Sequence, residues 1–264
     1  MKATVFLGGG RITSALVAGL RLAGYEHPIV VHDRHSKKLQ ELKRRHRVIV
    51  EDDLRKAVEL ADLLIVAVRP NSVHELLKEI TEHLRRRLTV VSLAAGIPLS
   101  KLQAGLGLPV RWARAMPSPV CRSGRGLTAL TFGSGLSHSE RSIVRNLFAS
   151  VGAVMEIPEK QFDAFTVTYS SSHGYHALAA LAGAAEAIGL DRKTALMAAA
   201  HALADGITAW RAGNLSLQKL LKEAATPGGI AEAVMADLDQ AGYRRIVQNG
   251  LRAGIKRAQK NANV

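Results

Sequence analysis

Through the first 160 or so residues, short apolar runs alternate with stretches of helical pattern, as in a parallel sheet with helices packed on its faces. Strands are predicted at 3–7, 29–32, 63–68, 89–93, 110–115, 127–132 and 153–157. The run 63–68 is apolar without a break, as a strand buried on both faces requires. A first helix is predicted over 12–23, with Leu16, Ala18, Leu20 and Leu22 as apolar contacts. Ser36 is placed to cap a second helix over 37–45, and another helix spans about 138–150. The expected fold is a Rossmann-type doubly wound, mainly parallel α/β sheet followed by a helical region.

After Pro158 the strand-like runs stop, and Ala, Leu and Gly dominate from Phe162 to Ala212. Helices with such small faces approach closely, as in a bundle or a dimer. The expected division is a dinucleotide-binding domain over 1–158 and an all-helical domain over 159–264. The second domain favours a homodimer or a larger homo-oligomer. No self-similarity at a fixed period supports a helical-repeat array.

Composition narrows the classes. The chain has 264 residues, 47 % of them hydrophobic and 4 % aromatic, with one cysteine. That excludes a disulfide framework and a multi-cysteine metal site, and no metal is expected. No apolar run reaches membrane-span length. Five apolar-leaning residues before Gly8 are too few for a signal-peptide core, so a cytoplasmic protein is expected. The formal charge of +14 raises nucleic acid or an anionic membrane as partners. Arg244, Arg245, Arg252, Lys256, Arg257 and Lys260 fall at helical spacing near the C-terminus. No nucleic-acid-binding signature accompanies them and aromatics for stacking are scarce, so neither partner is expected.

Gly8-Gly9-Gly10-Arg11-Ile12-Thr13 follows the first strand and opens a helix, the context that makes such a turn a pyrophosphate cradle. Gly8 permits the tight turn. Gly10, with Arg11 and Ile12, opens the helix whose amides and dipole favour an anion. Thr13 at the third small position is bulkier than Gly or Ala, which predicts a wider spacing of helix and strand. Asp33 ends the second strand, where a ribose 2′-hydroxyl would favour NAD. Arg34, Ser36, Lys37 and Lys38 would instead hold a 2′-phosphate. Four donors, three of them positive, beside one carboxylate lean toward NADP, with NAD as the alternative; Lys37 and Lys38 also fit a solvated helix face.

Read onward, the order of motifs resembles the pyrroline-5-carboxylate reductase family, which reduces a cyclic imine to proline with NAD(P)H. Ala67-Val68-Arg69-Pro70 is similar to the family's Ala-Val-Lys-Pro, and Ser92-Leu93-Ala94-Ala95-Gly96-Ile97 to its Ser-x-Ala-Ala-Gly-Ile. Arg114-Ala115-Met116-Pro117 resembles Arg-x-Met-Pro, and residues 124–130 resemble Gly-Glu-Gly-Met-Thr-Ala-Leu. Asp163-Ala164-Phe165-Thr166 and Thr226-Pro227-Gly228-Gly229 follow in family order. The resemblance implies that Ala67, Val68, Arg69 and Pro70 line the cofactor path at the strand edge. Ala94, Ala95 and Gly96 would leave room for a flat nicotinamide, with Met116, Pro117 and Ser118 as a wall. Pro70 also fits a plain strand stop, and the alanines tight packing.

Departures gather where the family keeps its substrate groups. Asn-Thr-Pro becomes Ser118-Pro119-Val120, and Ser-Gly-Ser-Gly-Pro becomes Tyr169-Ser170-Ser171-Ser172-His173. Ile230-Ala231 stands where the family has Thr-Thr in a loop associated with the substrate carboxylate. Lost hydroxyls weaken or redirect binding of a polar ligand. Ser171, His173 and Thr226 are the candidate substrate and proton-donor groups, His173 because a histidine titrates near neutrality. The expected function is NAD(P)H-dependent reduction of a cyclic imino acid, hence proline biosynthesis. The competing reading is a cofactor-binding regulatory protein of the same fold that has lost catalysis.

Overall fold

Alternation along one strand sets the architecture. In β1 (Ala3–Leu7), Ala3, Val5 and Leu7 enter one apolar layer and Phe6 the opposite one. Such a strand needs helices on both faces. The computed structural model describes residues 2–84 and 86–263. Its strands continue with β2 (Ile29–His32), β3 (Ile49–Val50), β4 (Ala61–Val66), β5 (Leu88–Ser92), β6 (Val110–Met116), β7 (Leu127–Phe132) and β8 (Ala153–Glu156). They form one eight-stranded sheet in the order β3-β2-β1-β4-β5-β6-β7-β8. Among the described residues only the β6–β7 pairing is antiparallel. This is the expected doubly wound, mainly parallel sheet, and its order reverses between β1 and β4.

The helices before the fold's last third are α1 (Arg11–Leu22), α2 (Ser36–His46), α3 (Leu54–Leu60), α4 (Val73–Thr81), α5 (Leu99–Gly105) and α6 (His138–Ala149). One apolar layer receives Leu16 and Leu20 of α1, Leu39 and Leu42 of α2, and Leu147 and Phe148 of α6. The other receives Val58 of α3, Leu76, Leu77 and Ile80 of α4, and Leu102 of α5. β3, α3 and α5 are short and carry no separate signal in the chain's pattern, whereas α4, absent from the predicted elements, has Val73, Leu76, Leu77 and Ile80 at helical spacing. The expected cap at Ser36 is corrected: the N-cap of α2 is His35, and Ser36 is already helical. The fourth strand also ends earlier than the pattern suggests, at Val66, and Pro70 opens a separate 3-10 turn over Pro70–Ser72.

Two contacts lock the layers. Gly19 of α1 backs onto the carbonyl of Cys121 in the 3-10 turn Pro119–Ser123, leaving no volume for a side chain. Arg114 of β6 is a buried cation paired with Glu159 at 2.8 Å and Asp163 at 3.1 Å, both on α7 (Glu159–Thr168). Its guanidinium also lies over the Phe162 ring, 4.2 Å from the centroid. A buried guanidinium must be paired, so α7 packs with the sheet.

By its contacts the chain forms two compact units. One runs to Tyr169 and includes the chain from Ala253 onward; the other is Ser170–Arg252. The second unit holds α8 (Ser171–Ala187), α9 (Arg192–Ala212), α10 (Leu217–Ala224), α11 (Ile230–Gln240) and the start of α12 (Tyr243–Asn261). Within α8 and α9 only alanines are buried, namely Ala182, Ala195 and Ala199. Leu181, Leu196, Met197, Ile207 and Trp210 stay exposed.

Two outcomes test this framework. Ala is the better helix former by about 1 kcal/mol, yet Gly19→Ala is expected to lower stability by roughly 1–3 kcal/mol because the methyl meets main chain. Chemical denaturation measures it, and a stabilised variant contradicts the contact. Glu140, in the capping box of α6, accepts two bonds from Arg87 and has its pKa lowered to about 2, chiefly by that pairing. Because the folded pKa lies below the unfolded value, the stabilisation is complete above about pH 5 and is lost as pH falls toward 2. The stability gap between the wild type and Glu140→Gln should therefore be flat above pH 5 and close in acid; a gap independent of pH would contradict it.

Candidate active site

Register brings four strand ends to one edge. Leu7 of β1 pairs with Val66 of β4, Val66 with Ser92 of β5, and Ser92 with Arg114 of β6. The loops after these strands therefore share the carboxyl edge, where open α/β sheets bind ligands.

The first loop is shaped by close approach. Gly8 has φ +112, and a Cβ there would lie 2.7 Å from the Ala67 carbonyl oxygen, so only glycine fits. Thr13, expected to widen the helix–strand spacing, instead donates its hydroxyl to the Gly8 carbonyl at 2.5 Å and is fully buried. The N-cap of α1 is Gly10, in extended backbone with no side-chain cap and no acid in the first turn. Nothing fills the space beside Gly10. Arg11 is exposed, and Ile12 leans on the core. The amides at the start of α1 are thus without side-chain acceptors, and the helix dipole favours an anion there.

Asp33, expected to face a ribose, is braced on this turn. One carboxylate oxygen accepts the Gly9 amide at 2.7 Å; the other accepts the His35 amide at 2.8 Å. Burial opposes its charge, but these donors and nearby Lys38, 3.7 Å away, outweigh that and hold its pKa below the usual value. Arg34 is taken up by Glu75 and Glu79 of α4, at 3.3 and 2.6 Å. Lys37 is exposed in the first turn of α2. The brace left no signal in the spacing, since an aspartate at a strand end reads the same in either role.

In the remaining edge loops, Ala67 presses against Gly8, Val68 packs on the core and Arg69 is exposed. After β5, the Ala94 amide donates to the Ser92 hydroxyl at 3.2 Å, and the Ala95 carbonyl accepts from the Asn261 side chain at 3.2 Å. Gly96 lies against the Ala258 main chain, so its smallness serves α12 rather than an open space. Met116 ends β6, Pro117 is buried, and the Ser118 hydroxyl caps the following 3-10 turn through the Val120 amide. Burial pushes the Cys121 thiol up to about 11, which makes it unreactive.

The proton-donor candidates lie in the second unit. Ser171 and His173 are exposed in the first turn of α8, whose N-cap Ser170 accepts the Ser172 amide. Thr226 is exposed in the turn before α11, and its carbonyl accepts the Gly229 amide at 2.9 Å. Ile230 opens α11 almost fully exposed, while Glu232 accepts the Gly228 amide at 2.7 Å. Among the described residues no group of three or more His, Cys, Asp or Glu is gathered as a metal site, and no helix is long and apolar enough to cross a membrane.

Comparison with known proteins gives two family matches. Residues 4–96 match the family described as NADP oxidoreductase, coenzyme F420-dependent, and residues 159–261 match pyrroline-5-carboxylate reductase dimerisation. A pyrroline-5-carboxylate reductase of Corynebacterium melassecola is 31 % identical over 98 % of both chains. The crystal structure of a pyrroline-5-carboxylate reductase from Coxiella burnetii aligns with TM-score 0.88 at 25 % identity, covering 99 % of this chain and 98 % of that one. The Plasmodium falciparum pyrroline carboxylate reductase, solved with NADP bound, has the same fold at TM-score 0.87 and 20 % identity, with 99 % and 98 % covered. Matched from end to end in this way, the chain belongs to the pyrroline-5-carboxylate reductase family.

Proposed function

We propose that the protein is an NADPH-dependent reductase that converts 1-pyrroline-5-carboxylate to L-proline. The observation that carries this is the uncapped start of α1 behind the Gly8 turn, on the edge shared by β1, β4, β5 and β6. Family membership and an end-to-end match to a reductase of that name support the substrate. A neighbour of the same fold with NADP bound supports the cofactor.

The residue roles follow the edge. The amides that open α1 at Gly10, Arg11 and Ile12 hold the pyrophosphate, and Gly8 lets the main chain approach it. Lys37, with Arg34 once it leaves its glutamates, is the donor set for a 2′-phosphate beside Asp33. Ala67, Val68, Arg69 and Pro70 line the middle of the path. Ala94, Ala95, Gly96, Met116, Pro117 and Ser118 border its nicotinamide end. The bound cofactor supplies the hydride that reduces the imine carbon. Ser171, His173 and Thr226 contact substrate and deliver a proton to the imine nitrogen, directly or through water; protonation makes the carbon more electrophilic. In functional terms the chain divides into a cofactor domain over 1–158 and a substrate and dimerisation domain over 159–264. The exposed apolar side chains of α8 and α9, within the region that matches the family's dimerisation domain, support a homodimer or larger assembly.

Two experiments test this. Purified protein should oxidise NADPH on addition of 1-pyrroline-5-carboxylate and release proline, with NADPH raising the melting temperature more than NADH does. Cofactor binding without turnover across cyclic imino acids would point instead to the regulatory reading. Gly10→Asp places a carboxylate in empty space at a helix start, where Asp is a favoured cap. The variant should keep or slightly gain stability, while its KM for NADPH rises about tenfold, a loss of about 1.4 kcal/mol. An unchanged KM would place the pyrophosphate elsewhere.

A further inference from the structure

The last turns of α12 pack with the sheet-bearing unit and meet its edge at one loop. Ala258 is the buried residue of that helix, and its main chain fills the space where Gly96 would carry a side chain. Gly96 has φ +79, so this turn conformation and this contact both exclude a Cβ. One turn further along, the Asn261 side chain donates to the Ala95 carbonyl at 3.2 Å. From the sheet side, the Ser92 hydroxyl accepts the Ala94 amide, and the Leu93 amide donates to the Val66 carbonyl. The loop is therefore held from below by β4 and β5 and from above by residues that lie more than 160 positions later in the chain.

We propose that Asn261 is a positioning residue for the nicotinamide half of the cofactor, acting through the Ala95 carbonyl. In a doubly wound sheet a dinucleotide spans the point where the strand order reverses. Here that point lies between β1 and β4. The turns after β1 and β2 are on the adenosine side, which leaves the loop after β5 on the nicotinamide side. Removing the amide donor frees the Ala95 carbonyl and loosens the 93–97 loop without touching the Gly8 turn or Asp33. This inference rests on the cofactor reading above, and it assigns a role at the edge to the C-terminal helix.

The test compares wild type with Asn261→Ala, Asn261→Asp and Asn261→Gln. Asp keeps the shape but loses the donor, and Gln retains the donor. Binding of 2′,5′-ADP, the adenosine half alone, should be equal in all four proteins, and the melting temperature should fall by no more than about 4 °C in the Ala and Asp variants, the effect of one lost hydrogen bond. KM for NADPH should rise about fivefold in the Ala and Asp variants, the size of one lost hydrogen bond, with recovery in the Gln variant. Amide exchange of residues 93–97, measured without cofactor, should quicken in the Ala and Asp variants. Unchanged NADPH affinity, or 2′,5′-ADP affinity falling in step with it, overturns the proposal. A wild-type protein that binds neither ligand defeats the cofactor reading itself; unchanged exchange at 93–97 defeats the role of Asn261 separately.

Discussion

At the carboxyl edge of the sheet, main chain lies directly against main chain. Gly8 meets the Ala67 carbonyl, and Gly96 meets the Ala258 carbonyl. Behind the edge, Gly19 meets the Cys121 carbonyl in the same fashion. Each contact removes the volume of a methyl group and fixes one loop against another. A bound anion needs amide groups held within tenths of an ångström, and side chains with rotamer freedom hold less rigidly than packed backbone. The start of α1 can remain uncapped because the rest of its surroundings are fixed in this way.

Polar groups near the edge serve the same end. Asp33 ties Gly9 and His35 together, and Thr13 closes on the Gly8 carbonyl. Ser118 is spent on the turn that Gly19 packs against. Arg114 carries the constraint outward: a guanidinium inside a sheet requires carboxylates, and Glu159 and Asp163 supply them from α7. Glu159 also accepts the Leu99 amide, so one carboxylate orders both the start of α5 and that of α7. The helix that begins the family's dimerisation region is thus fastened to the sheet.

The helical unit shows the opposite economy. Its helices bury alanines among themselves and leave large apolar side chains outside. A hydrophobic surface of that kind is stable when another surface covers it. Where the family pattern has hydroxyls, Ile230 is exposed, and Glu232 supplies the acceptor for the loop amide at Gly228. A carboxylate thus holds this turn.

Much of this was legible along the chain. Apolar-rich runs marked seven of the eight strands, because strands covered on both faces are mostly apolar, although buried Arg114, Thr128 and Thr131 interrupt them and β8 is largely exposed. The Gly8 turn declared itself by glycine spacing between a strand and a helix, and the change after Pro158 announced the helical region. What the chain could not disclose were pairings between distant residues. Asp33 has the same spacing whether it faces a sugar or the Gly9 amide, and Arg34 gives no sign of Glu75 and Glu79. The two-residue β3 is too short for a periodic signal. Gly96 reads as room for a ring until Ala258 is seen against it. The sequence by itself determined the elements and the phosphate turn, since these depend on neighbours a few residues apart. Tertiary structure decided which polar groups are already engaged, because hydrogen bonds and close packing join residues that only folding brings together.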